Sequence, residues 1–131
     1  MSAKFKINFK VKKEDIDALN HVNNAVYVKW MDFVAQSHWQ ELSINHDLVN
    51  YIWVVSRHEI DYKNEAVFGD EITAKTWVGE TKGVTSERFI TFYKNDILLA
   101  KSKTIWVLLD AKTFKPTRIR ENILKVLEPS K

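Results

Sequence analysis

The chain has no cysteine. That excludes a disulfide framework, thiolate metal sites and a cysteine nucleophile, and it leaves the redox compartment open. Glycine and proline are scarce, three and two in 131 residues, while 28% of residues are charged. With a normal apolar content, this composition argues against disorder. No apolar run reaches the length needed to span a bilayer. The opening stretch MSAKFKINFK lacks the apolar core of a signal peptide. A soluble, cytoplasmic protein with no membrane partner is therefore expected. Neither sign of charge dominates: 20 Lys and Arg face 17 Asp and Glu, for a net charge of +3. The densest basic stretch, 112–120, is interrupted by Thr113, Phe114, Pro116 and Thr117, and it reads as solvated surface.

Several catalytic signatures are missing too. The four histidines, His21, His38, His46 and His58, show no metal-ligand spacing, and there is no H-E-x-x-H, so no metal site is expected. There is no G-x-S-x-G elbow. Ser37 and His38 are adjacent on a helical segment and so point in different directions. Thr81-Lys82-Gly83 lacks the preceding glycines of a phosphate-binding loop.

What is present is 45% apolar residues, enough for a core, in a chain the length of one domain, taken as residues 1–131. Phe5, Ile7, Phe9 and Val11 alternate with polar neighbours, the period of a half-buried strand. A helix follows over 24–42, with Asn23 or Asn24 as its cap. Its polar residues Lys29, Asp32, Gln36 and Gln40 form one narrow stripe. Val26, Tyr27, Trp30, Met31, Phe33, Val34 and Trp39 cover most of the remaining girth. Such a helix should be largely surrounded by protein, as a curved sheet wrapping it would provide. Strand signals follow at 52–62, 71–78, 85–93 and 97–109, with 79–83 as a hairpin connection. A short helix is expected at 119–127. The pattern is α+β: one long buried helix and a mostly antiparallel sheet of about five strands. The tryptophans fall within the apolar periods and read as core.

The segment 15–27 concentrates chemistry between strand and helix. It holds Asp15, Asp17, His21 and three Asn side chains. Free amides at a helix N-terminus point at whatever binds, and the helix dipole favours negative charge. A thioester carbonyl under attack develops such charge on its oxygen. A nearby carboxylate can attack it or activate water. The same residues could equally do no more than cap a helix and shape a turn.

The pattern D-x-x-x-H-V-N-N-x-x-Y, carried by Asp17, His21, Val22, Asn23, Asn24 and Tyr27, resembles that of the hot dog-fold acyl-CoA thioesterases. The likeness continues through Trp30-Met31-Asp32 and through EIDYKNEAVFGDEI at 59–72, which in that family is a strand, a turn and the next strand. It covers nearly the whole chain. The nearest subgroups are the 4-hydroxybenzoyl-CoA thioesterase-like proteins and the bacterial long-chain acyl-CoA thioesterases. The resemblance implies a hot dog fold and hydrolysis of an acyl thioester, with Asp17 as nucleophile or general base. It implies that the amide near Asn24 polarises the carbonyl. It leaves His21 either catalytic or a structural hydrogen bond, and makes Tyr27 a core or pocket wall. Lys82 aligns with a basic segment that contacts coenzyme A, and Ser86 nearby could donate to its phosphate or pantetheine. Coenzyme A enters only as part of the substrate, so no separate cofactor is implied.

Two departures stand out. Ala18 follows Asp17 where the 4-hydroxybenzoyl-CoA enzyme has Pro. Leu19 stands where the plant acyl-ACP thioesterases have an Asn two positions before the motif His. A bacterial acyl-CoA thioesterase remains most similar. The fold also implies a homodimer or homotetramer with the site at the dimer interface. Two other readings stay open. One is a non-catalytic acyl-CoA or acyl-carrier-protein binding module on the same fold. The other is a nucleic-acid binder, which the buried placing of the tryptophans disfavours.

Overall fold

A computed structural model describes residues 4–127; the outer ends of the expected 1–131 domain lie outside the described residues. The elements run β1 (Phe5–Lys10), a 3-10 turn (Lys13–Asp15), α1 (Asn24–Ser43), β2 (Tyr51–Tyr62), β3 (Glu71–Lys82), β4 (Thr85–Lys94), β5 (Ile97–Asp110) and α2 (Glu121–Leu127). The strands form one sheet in the order β1-β3-β4-β5-β2, every neighbour antiparallel. This is the α+β arrangement expected, five strands and one long helix.

Alternation sets the faces. Ile72, Ala74, Thr76 and Val78 of β3 are buried, as are Ser86, Arg88, Ile90 and Phe92 of β4. All lie on the side that meets α1 or the core around it. The helix answers with Val26, Tyr27, Trp30, Met31, Val34, Ala35 and His38, the 3-and-4 spacing of one face. Core residues form two clusters. One gathers Tyr27, Trp30, Met31 and Val34 with Ile72, Ile90 and Phe92. The other gathers Leu48, Val78 and Leu108 with Ile119, Ile123, Val126 and Leu127 of the C-terminal segment.

The sheet packs on α1 as expected, while part of the helix stays open in the single chain: Val28 and Phe33 are 38% and 46% exposed. The sheet covers one face, and Phe9 of the edge strand β1 reaches Phe33 only edge-on, 5.8 Å between ring centres. One expectation needs correction: the β3–β4 connection is shorter than 79–83. Strand β3 continues to Lys82, which pairs with Thr85, so only Gly83 and Val84 make the turn. Gly83 takes φ +63°, which glycine adopts without strain. Gly79 lies inside β3 for another reason. A Cβ there would stand 2.5 Å from the Phe89 ring.

Candidate active site

The chain between β1 and α1 doubles back on itself. Ile16 bridges Val22 antiparallel, and the Asp17 amide donates to the His21 carbonyl at 2.8 Å. Asn20 turns the loop in the left-handed region, φ +63°, where Asn is among the better-tolerated residues. The loop is tied to the segment after β2. His21 bridges Val67, and the Val22 amide donates to the Ala66 carbonyl at 2.9 Å.

Asp17 is held inside this loop by its own backbone. Its Oδ1 accepts from the amides of Leu19, at 2.9 Å, and His21, at 3.2 Å. Its Oδ2 accepts no hydrogen bond among the described residues. One oxygen thus fixes the side chain and the other is left for a ligand. Asn23 caps α1: its side-chain oxygen accepts from the Ala25 amide at 3.0 Å. The cap leaves the Asn24 amide without a partner among the described residues, as the first turn of a helix does. The Asn24 carbonyl accepts from the Tyr62 hydroxyl at 3.1 Å.

Asp17, His21, Asn23, Asn24 and Tyr27 line one open groove with Tyr62, Lys63 and Glu65. Its volume is about 1070 Å³, including its solvent-filled mouth. His21 Nε2 lies 2.9 Å from Glu65 Oε2. Tyr27 is buried against Trp30, Tyr62 and Phe92, and its hydroxyl has no partner among the described residues. Burial, aided by the Tyr62 and Glu65 charges, pushes the Tyr27 phenol up to about 12, so it stays protonated. The groove therefore offers a carboxylate, a free amide and a buried hydroxyl donor.

The other candidate residues lie elsewhere. Lys82 is exposed at the tip of the β3–β4 hairpin, its Nζ 3.9 Å from Glu80. Ser86 is buried on the opposite side of its strand, its hydroxyl 2.7 Å from that of Thr81. The two do not share one surface. Asp15 accepts from the Lys12 amide at 2.9 Å and does not line the groove. Sequence reasoning gave no role to Tyr62, Lys63 or Glu65. The signal was present, because the stretch 59–72 carried part of the resemblance, but nothing in sequence brings Glu65 to His21. Among the described residues no group of three or more His, Asp or Glu could hold a metal ion, and no helix is long and apolar enough to cross a membrane.

Comparison with known proteins identifies the family and the fold. Residues 2–127 match the sequence model of the family described as acyl-ACP thioesterase N-terminal domain. The chloroplastic acyl-[acyl-carrier-protein] hydrolase FATB2 of Cuphea viscosissima is 21% identical over 136 residues, 95% of this chain but 33% of that protein. The chain thus spans about a third of the length of that plant relative. The long-chain acyl-CoA thioesterase FadM of Escherichia coli is 25% identical, covering 91% of this chain and 93% of that one. The Staphylococcus aureus protein SAV2348, solved in complex with CoA, superposes with a TM-score of 0.85 at 18% identity, over 96% of this chain and 82% of that one. The fold is the hot dog fold, and the chain belongs to the acyl-ACP thioesterase N-terminal domain family.

Proposed function

We propose that this protein hydrolyses acyl thioesters, with acyl-CoA as substrate and Asp17 as the reacting carboxylate. One observation carries the proposal. Asp17 is clamped through Oδ1 and free at Oδ2, in the same groove as the unpaired Asn24 amide. A thioester carbonyl whose oxygen meets the Asn24 amide, at the positive end of α1, would gain stabilisation as charge develops. Asp17 would then act in one of two ways. It attacks the carbonyl carbon, expels the thiolate and leaves an acyl anhydride that water cleaves. Otherwise it takes a proton from water, whose oxygen adds to the carbonyl and releases the thiol. In this scheme His21 and Glu65 brace the loop, and Tyr27 forms the wall beside the acyl group.

Family membership and the names of the E. coli and plant relatives support thioester chemistry. The CoA bound to the S. aureus structure supports CoA as the carrier. The plant relatives, named for acyl-carrier-protein substrates, support the carrier protein as the second possibility. The test is a hydrolysis screen across acyl-CoAs of different length and aromaticity, and acyl carrier proteins, with the released thiol read by a thiol reagent. The enzyme has no cysteine to interfere. Hydrolysis of at least one series is expected. Tight binding without turnover of any would leave a binding module instead.

Of the two residues proposed for coenzyme A, Lys82 is the one presented to solvent. Lys82→Glu should raise KM for acyl-CoA with little change in kcat, because it touches a remote part of the substrate. The effect should shrink in high salt, which screens exposed charges. An unchanged KM at low salt would place the phosphates elsewhere.

A further inference from the structure

A second cleft lies at the other end of α1, away from the Asp17 groove. It begins at Ala35, eleven residues beyond Asn24, or ~16 Å along the axis at 1.5 Å per residue. Trp39, Trp53 and Trp106 wall it, and Gln36 and Ser86 stand beside them. The space inside is small, about 30 Å³. One water needs roughly 10–15 Å³. The cleft therefore takes a water or two, or one monatomic ion, and nothing longer.

Arg88 lines this cleft and is only 6% exposed. Burial lowers its guanidinium to about 10, so it is charged at neutral pH. Among the described residues no carboxylate lies within ion-pair distance of it. Its Nη1 donates to His38 Nδ1 at 2.8 Å and to Thr76 Oγ1 at 3.0 Å, both neutral acceptors. The His38 ring is held from its other side by stacking on Phe5, 5.0 Å between centres, so the guanidinium is fixed in place. Nε and Nη2 donate to nothing among the described residues. Neither is sealed in, unlike the Trp106 Nε1, which is walled off without a partner. The N–H bonds of Nε and Nη2 share one edge of the planar guanidinium and point the same way. A buried cation is normally paired, because its desolvation is otherwise not repaid. Water in the cleft would supply a dipole and no countercharge.

We propose that the cleft is a site for one monatomic anion, a chloride ion in ordinary buffers, gripped by the free edge of Arg88. The apolar walls thin the surrounding water and so strengthen the attraction between ion and guanidinium. Ser86 supplies a further donor. Its hydroxyl lies 2.7 Å from that of Thr81, and when Thr81 donates in that pair the Ser86 proton is free for the ion. The size of the cleft excludes carboxylates and polyatomic anions. The site takes no part in the proposed hydrolysis, and its ion links α1 to the sheet.

The probes are sodium chloride and sodium bromide, compared with sodium gluconate, whose anion is too large to enter, at equal ionic strength. Wild type should melt about 3 °C or more higher in saturating chloride or bromide than in gluconate, and the rise should saturate. General salt effects run the other way, because strongly hydrated anions are the stabilising ones. Arg88→Met should melt alike in all three salts. Asp17→Asn should respond to chloride as wild type does. In wild-type crystals grown with sodium bromide, anomalous diffraction should show one ion against Arg88 Nε and Nη2. Equal melting of wild type in chloride and gluconate would overturn the proposal whether or not Arg88→Met folds. So would a folded Arg88→Met that keeps the chloride rise, or bromide on the outer surface alone, an adventitious ion only. Loss of the chloride response in Asp17→Asn would put the anion in the loop groove and overturn it as well.

Discussion

His38 and Arg88 share a hydrogen bond in the interior, and the pair makes stability depend on pH. Burial first, and the Arg88 charge second, hold the His38 imidazole down to about 4, against an ordinary value of 6.5. Burial alone lowers the Arg88 guanidinium to about 10, so it stays charged at neutral pH. Below pH 6.5 the unfolded chain takes up a proton at this position that the native state refuses until about pH 4. Stability must therefore fall as pH drops through that window, by roughly 3 kcal/mol for this one group. Urea unfolding at pH 7 and pH 4 should show wild type losing more stability than His38→Gln by about that amount. Equal losses would mean that His38 titrates normally. None of this was legible in sequence, where His38 was one of four scattered histidines. By contrast Asp17, Asn24 and Tyr27 were legible as a group, because a short loop and the first turn of a helix keep sequence neighbours together in space. Glu65 was not, since its approach to His21 is set by the register of a segment forty-four residues away.

At the scale of elements, all five strands and both helices follow from periodicity and turn residues, because alternation and 3.6-residue spacing are local signals. The failures were at boundaries that packing decides. Gly79 looked like a turn residue, and it is a strand residue whose missing side chain admits the Phe89 ring. The strand pairing is irregular just there, between Val78 and Thr81. Gly79→Ala should therefore force the ring aside and cost about 1–3 kcal/mol, the range for overpacking. A thermal or urea midpoint that does not move would show that the strand yields freely. The sheet packs on the helix as the sequence reading expected, and Val28 and Phe33 stay partly open in a single chain.

At the scale of the whole molecule, β2 stands out as an edge. It is twelve residues long, pairs with β5 alone among the described residues, and exposes Val54 and Val55 at 38% and 39%. A long exposed edge invites pairing with another strand. We expect a homodimer or homotetramer in which β2 is covered and the Asp17 groove lies at the interface. Light scattering at micromolar concentration should give twice or four times the chain mass of 15.4 kDa. A fully active monomer would contradict it. The sequence reading placed the chain nearest the bacterial acyl-CoA enzymes, whereas the matching family is described by its acyl-ACP members. The fold is common to both, and Leu19, which set the plant pattern aside, is one exposed loop residue.

The proposed activity rests on one carboxylate, and kcat for Asp17→Asn tests it most directly. The substitution keeps the size of the side chain and the oxygen that accepts from Leu19 and His21, so the loop and the melting temperature should survive. It removes the charge that attack or proton abstraction needs. On whichever acyl-CoA wild type hydrolyses best, kcat should fall roughly 10²–10⁴-fold, the range for a lost general base. Asp15→Asn and Asp32→Asn, outside the groove, should lose far less. Near-wild-type kcat for Asp17→Asn, with either control inactive, would contradict the assignment.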